Sequence, residues 1–252
     1  MQPIWNRAQF KQTGKDTFLS NYWPFVGVCV LLALLSGDLF NLQLQQTSRE
    51  LVSNSILIYD DPSLGNAVAY GAQLLSPYLA PFVAGSLLLS LLVVFPLQVG
   101  ASRFFLESRP GYKAPFQRIG HGFVENYGNV FLTGLFKWLF TLLWSLLFLI
   151  PGIIRSFGYF AVPYILAENP NLDHSRALQL SLQMTKGYKW DIFVLELSFL
   201  GWFLLSGISF NIAGIFYVNP YYQATLAEAY RFLRENAMAN GYTNRSELPG
   251  TQ

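Results

Sequence analysis

Charge is what this sequence has least of. Only 12% of its 252 residues are charged, against roughly a quarter in an average soluble domain, while 52% are hydrophobic. A chain so poor in charge cannot cover a globular surface with it, so much of its length needs no contact with water. Cysteine is also scarce: Cys29 stands alone. That excludes an intrachain disulfide or a cysteine metal cluster, and its place inside an apolar run makes it a packing residue. The two histidines, His121 in GHGF and His174 in LDHSR, are too few and too isolated for a zinc site without several acidic partners. There is no phosphate-binding glycine loop, no G-x-S-x-G elbow and no H-E-x-x-H. The formal charge of +2, with no basic cluster interleaved with aromatics, argues against nucleic acid. These absences predict no catalytic residues, no cofactor and no metal.

The charges that are present are bunched. Thr17 to Gly37 carries none, Pro62 to Ser102 none, Asn126 to Ala167 only Lys137 and Arg155, and Ile192 to Ala227 only Glu196. Each interval exceeds the roughly 18 residues that raise a transmembrane helix. The expected fold is all-α: a polytopic transmembrane helical bundle of about six spans with short interfacial helices. Arg7, Lys11 and Lys15 precede WPFVGVCVLLALLSG, Trp23 to Gly37, in the outline of a signal sequence. No small-x-small cleavage site follows, so this run is expected to remain as an uncleaved first span. Trp190 to Gly207 reads as a fifth span and Ser209 to Tyr230 as a sixth. With six, Arg7, Lys11 and Lys15, then Arg103, Arg109, Lys113 and Arg118, then Arg176, Lys186 and Lys189, then Arg231, Arg234 and Arg245 all fall on one side. The positive-inside rule makes that side cytoplasmic, with both termini there. Residues 1–252 then form a single membrane domain: 1–21 an interfacial segment, 22–232 the bundle, 233–252 a cytoplasmic tail. Asn41 to Ser76 falls on the opposite side, where Asp60-Asp61 reads as a solvated turn before Pro62.

A continuous helix from Gly128 to Glu168 would be about 60 Å long, twice the hydrocarbon thickness. It must break, and Pro151-Gly152 is the expected tip of a hairpin between spans three and four, giving helices of roughly 34 and 25 Å. Pro151 suits the first turn of the return helix and Gly152 a tight reversal. Arg155, one turn from the membrane face, is expected to snorkel to the headgroups, with substrate binding as the alternative. Pro163 is expected to kink the return helix, and Asn169-Pro170 to end it.

Asn171 to Gly187 has helix-capping residues at both ends, and Ala177, Leu180 and Met184 on one side that can lie on lipid or on the bundle. The N-terminal stretch with Trp5, Ala8, Phe10 and Phe18 can do likewise. Tyr22-Trp23, Tyr188 with Trp190, and Tyr221-Tyr222 read as interfacial anchors. Two charges fall inside spans. Lys137 lies roughly 14 Å and Glu196 roughly 8 Å from the cytoplasmic side, close enough for the longer lysine to reach back. An intramembrane charge costs at least about 2.5 kcal/mol at a helix centre, so pairing or a hydrated cavity is the expected resolution. The pair is read either as structural, or two independent snorkelling groups, or as part of a transport or proton-relay path.

Phe10-Lys11, Gly14-Lys15, Phe18 and Asn21-Tyr22-Trp23 are followed by IPGIIRSFGYFAVPYILAENP, SLQMTKGYK (Ser181 to Lys189), LSFLGW (Leu197 to Trp202), and NPYYQAT (Asn219 to Thr225) with Tyr230. In this order the motifs resemble the integral membrane family called domain of unknown function 975. The resemblance covers nearly the whole chain. It implies a multi-pass prokaryotic membrane protein, expected here in the cytoplasmic (inner) membrane, and supplies no established activity or catalytic residue. More distantly, the Pro-Gly hairpin and following helix resemble the membrane region of some glycerophosphodiester phosphodiesterases, whose chemistry belongs to a separate soluble domain.

Three functions from different classes fit these residues. The leading one is a non-catalytic membrane scaffold or partner-binding subunit, its partners being the bilayer and a membrane protein or further copies of the chain. A small transporter using Lys137 and Glu196 is the competitor, and a lipid-handling enzyme comes third.

Overall fold

The computed structural model describes residues 4–35, 90–147, 149–209 and 211–250, with 77, 85 and 88 as single positions. Most of these residues are helical, and among them one bridge, between Arg109 and Tyr112, lies outside the helices. The chain divides into two compact units, residues 1–32 with 95–252, and residues 33–94. Of the second unit, the described residues are helical residues 33–35, the single positions 77, 85 and 88, and a π-helical turn, Ser90–Val94. The expected outer loop Asn41 to Ser76, with Asp60-Asp61, lies outside the described residues, as does most of the Pro62 to Ser102 interval.

The first helix, α1 (Arg7–Ser20), is started by Asn6, whose side chain accepts the Gln9 N–H. It turns through 98° into α2 (Tyr22–Leu35). Asn21 pins that corner: its side-chain amide donates to the Thr17 carbonyl and to the Arg109 carbonyl, each at 3.1 Å. After α3 (Phe95–Glu107), a 3₁₀ turn (Phe116–Gly120) and the short α4 (His121–Val124) lead into the long α5 (Tyr127–Leu147). Then come α6 (Leu149–Gly158), α7 (Val162–Glu168), α8 (His174–Met184), α9 (Lys189–Leu197) and α10 (Leu200–Ile208). A π-helical turn (Gly214–Val218) precedes α11 (Asn219–Ala239).

The core lies where α3, α7, α8 and α11 meet, with α1 laid along α11. Phe104, Phe105, Leu106, Ile165, Leu166, Leu180, Met184 and Tyr230 are enclosed there, each large aliphatic or aromatic side chain contributing about 1.5 to 3 kcal/mol relative to exposure. Tyr164 stacks on Tyr230 with ring centroids 5.0 Å apart. The face of α1 that meets α11 is built on Phe10, Gly14, Thr17 and Phe18. Gly14 is required by proximity: a Cβ there would stand 2.8 Å from the Thr225 Cα and N. Residues 7–20 therefore pack on protein along one side.

Several expectations are corrected. Among the described residues, two helices, Tyr127–Leu146 and Lys189–Ile208 (α9 continued by α10), are long and apolar enough to cross a membrane, or three if α1 and α2 count as one bent span. That is fewer than the six expected. The proposed sixth span becomes the π-helical turn and the first half of α11, which continues unbroken past Tyr230 to Ala239. Its Gln223, Thr225, Glu228 and Arg231 are polar, and α1 covers its apolar side, so it is packed as a protein-facing helix. Nor does Pro163 kink a single return helix. That helix ends at Gly158, and Pro163 sits in the first turn of a new one, α7, where its missing N–H is harmless.

Candidate functional site

The expected intramembrane pair is not formed. The Lys137 ammonium, on α5, lies 5.6 Å from the centre of the Phe95 ring, while Glu196, on α9, faces the Tyr222 hydroxyl. Lys137 thus lies over a ring face, and Glu196 lies beside Tyr222 on another helix. Arg155 lies over Trp144 and Tyr159, 5.3 and 5.6 Å from the ring centres. Around it α5 and α6 pack against each other as the hairpin, with Pro151 in the first turn of α6. Gly152 serves the close approach of the two arms: a Cβ would stand 2.2 Å from the Ser145 Oγ and 2.7 Å from its Cα.

Asp173 caps α8, accepting the N–H groups of Ser175 and Arg176, and Gly187 closes the segment with a φ of 89°. Ala177, Leu180 and Met184 are buried in the core, which resolves the choice between lipid and bundle in favour of the bundle. Ser181 and Thr185 fix the contact by donating to the Gly158 carbonyl, at 2.8 and 3.2 Å. The proposed aromatic anchors divide: Trp23 and Trp190 are exposed, Tyr221 is buried, and Tyr188 stacks on Trp5 at 5.7 Å.

The densest arrangement of polar groups was not singled out in the sequence. It is a layer of carboxylates held by arginines at the helix ends. Glu107 ends α3 with a side chain only 1% exposed, and accepts Arg103 Nε at 2.5 Å and Arg118 Nε at 2.8 Å, one on each oxygen. Arg103 also donates from Nη1 to the Ala167 carbonyl at 2.7 Å, satisfying the end of α7. Glu168, 3% exposed, accepts Arg234 Nε at 2.9 Å and the Gly250 N–H at 3.0 Å. Arg231 pairs with Glu228 and donates from Nη2 to the carbonyls of Leu106 and Ser108, at 2.7 and 3.2 Å. Arg176, on α8, grips Glu247 with both forks, Nε at 2.6 Å and Nη2 at 2.9 Å.

That last pair ties down the segment after α11. Asn169 donates to the Glu247 carbonyl at 3.0 Å, Thr243 Oγ1 to a Glu247 carboxylate oxygen at 2.7 Å, and Leu248 is fully buried. The Arg176 fork holds the Glu247 carboxyl below its ordinary value, with burial opposing it and the Thr243 hydroxyl assisting. The segment after α11 is thus tied to the helices through Thr243, Glu247 and Leu248.

Chemically, this layer is occupied. The carboxylates of Glu107, Glu168 and Glu247 each receive two or more charged or backbone donors, and guanidinium groups do not give up protons near neutral pH. His121 is buried near Glu125, 3.6 Å from Nδ1, and burial lowers its pKa. His174 stacks on Phe136, centroids 4.9 Å apart. Among the described residues no three His, Cys, Asp or Glu side chains gather as they would for a metal.

No curated protein matches this sequence, and no solved structure does. No finding supports the more distant likeness to the membrane region of glycerophosphodiester phosphodiesterases. A family model does match, over residues 85–237. That stretch runs from before α3 to within the last turn of α11 and holds the hairpin, the core and the arginine layer up to Arg234. The chain therefore belongs to the family described as "protein of unknown function (DUF975)".

Proposed function

We propose that the chain is a multi-pass integral membrane protein that works without catalysis, as a scaffold or partner-binding subunit, in the cytoplasmic membrane that the family resemblance implies. The observation that carries this reading is a division of surfaces. Tyr127–Leu146 and Lys189–Ile208 turn apolar side chains outward along their length: Leu139, Leu143, Trp144 and Leu146 on one, Leu197, Leu200, Leu204 and Ile208 on the other. Contiguous exposed apolar surface of this kind marks a membrane or protein interface. Between α6 and α9 an apolar hollow of about 530 Å³, with Phe157, Trp190 and Phe193 in its walls and Lys189 as its one charge, suits lipid tails below a headgroup. The opposite character is concentrated in the arginine layer, which gathers Arg103, Arg118, Arg176, Arg231 and Arg234 from separate basic clusters. That gathering supports placing those clusters on one side of the membrane.

The transport reading needs Lys137 and Glu196 to share a site, and their separate partners remove that support. The lipid-handling reading has no nucleophile–base pair among the described residues to act through. Purification in mild detergent followed by mass spectrometry tests the scaffold reading. It expects a reproducible stoichiometric membrane-protein partner or a defined homo-oligomer. A monodisperse monomer that brings down no protein contradicts it.

A further inference from the structure

At the edge of the arginine layer is an open pocket of about 270 Å³, walled by Arg109, Arg231, Arg234 and Arg245 around the single carboxylate of Glu168. Four guanidinium groups against one carboxylate leave an excess of three positive charges. Glu228, outside the wall, neutralises Arg231 and reduces the excess to two. Two of the arginines are fixed. Arg231 is held by the Leu106 and Ser108 carbonyls, and Arg234 by Glu168 and the Leu248 carbonyl. Arg109 and Arg245 are exposed, and neither guanidinium has a hydrogen bond or ion pair among the described residues. They come from distant parts of the chain, one just after α3 and one in the segment after α11, and the fold brings both to one cavity.

We propose that this pocket binds a phosphate-bearing anion. The guanidinium fork matches phosphate oxygens in pairs and keeps its charge at any physiological pH. A phosphate monoester carries about −1.5 to −2 at pH 7, which matches the unneutralised excess. Two preorganised arginines set the floor, and two unpaired ones can close on the ligand. Gly250, whose N–H is bound to Glu168, lines the same cavity, so occupancy also tightens the terminal segment against the helices. The shared chemistry is a phosphate monoester, either a soluble one or the headgroup of a lipid such as phosphatidic acid. This assignment does not depend on the scaffold reading.

The test uses the full chain in two settings: in detergent, titrated with inorganic phosphate at constant ionic strength, and in phosphatidylcholine nanodiscs with and without phosphatidic acid. The expected result is saturable binding of at least one probe, weakened about tenfold or more for each guanidinium lost in Arg109→Gln and Arg245→Gln, with the ligand-free melting temperature unchanged. A phosphate response identifies a soluble source; phosphatidic acid capture without one identifies a lipid headgroup. Should the double variant melt early, Arg245→Gln alone, on the exposed segment, gives the reading. Saturable binding of neither probe, or wild-type affinity in the variants, overturns the proposal.

Discussion

Replacing Glu107 by glutamine should be among the most damaging changes in the molecule, although it removes no carbon and changes the side chain's volume little. The carboxylate is 99% enclosed and faces two guanidinium groups, Arg103 at 2.5 Å and Arg118 at 2.8 Å. Glutamine retains one acceptor oxygen but presents an amide N–H₂ to the other arginine, donor against donor. Arg103 is only 15% exposed, so it is left as a buried charge without a counter-ion, a loss of about 3 to 5 kcal/mol. Against a total stability of about 5 to 15 kcal/mol, that lowers the melting temperature by roughly 6 to 20 °C for a chain of this size. Arg118 is 40% exposed, so water screens it, and Arg118→Ala should cost about 1 kcal/mol or less. The order is therefore Glu107→Gln well below Arg118→Ala, measured as thermal melting of the detergent-solubilised chain. A Glu107→Gln variant that melts within a degree of wild type, or above Arg118→Ala, would refute the claim that this carboxylate organises the layer.

Gly14→Ala should lower stability by about 1 to 3 kcal/mol by forcing α1 off the Thr225 backbone; the control Gly128→Ala, where nothing lies within 4 Å, should not, and equal melting of the two would reject the close approach. Because Arg176 depresses the Glu247 pKa in the folded state, its contribution is complete above the ordinary glutamate range and is lost as pH falls through the depressed value. A fluorophore at Asn244 should thus report release of residues 244–250 on acidification, and release already at neutral pH in Glu247→Gln; a signal unchanged by that substitution sinks the idea. In a double-mutant cycle, Lys137→Met and Glu196→Gln should add within about 0.3 to 0.5 kcal/mol because the two side chains have different partners, and a coupling energy well above that would restore the pair.

What was legible in the sequence was local. Asp173 and Gly187 mark the ends of α8 because a cap needs only its own neighbours. Pro151-Gly152 marks the hairpin because no helix of the implied length fits a bilayer. Gly152 lies where the two arms approach, against Ser145, a contact that pairs residues on opposite arms. Among the described residues fewer helices can span than the apolar runs suggest, because a run read alone carries no information about its partners. Half of the Ser209 to Tyr230 run is covered by α1, and α1's own role depends on Gly14, a residue that looks like a weakness in an isolated helix. The arginine layer is not legible in the sequence, where its basic residues serve as orientation markers. Arg103 and Glu107 are one helical turn apart and could have been paired from spacing alone. The bonds of Arg103 to Ala167, Arg231 to Leu106 and Arg176 to Glu247 join residues that only the tertiary fold brings together.

The central claim is that Tyr127–Leu146 and Lys189–Ile208 face lipid while the arginine layer faces water. Spin labels at Leu139, Leu204 and Asn244, in a Cys29→Ala background reconstituted in nanodiscs, test it in one experiment through collision with oxygen and with a water-soluble nickel chelate. Oxygen should dominate at 139 and 204, because it concentrates in the bilayer, and the chelate at 244. Equal access of the chelate to all three positions would place the apolar helices in water or against protein, and would contradict it.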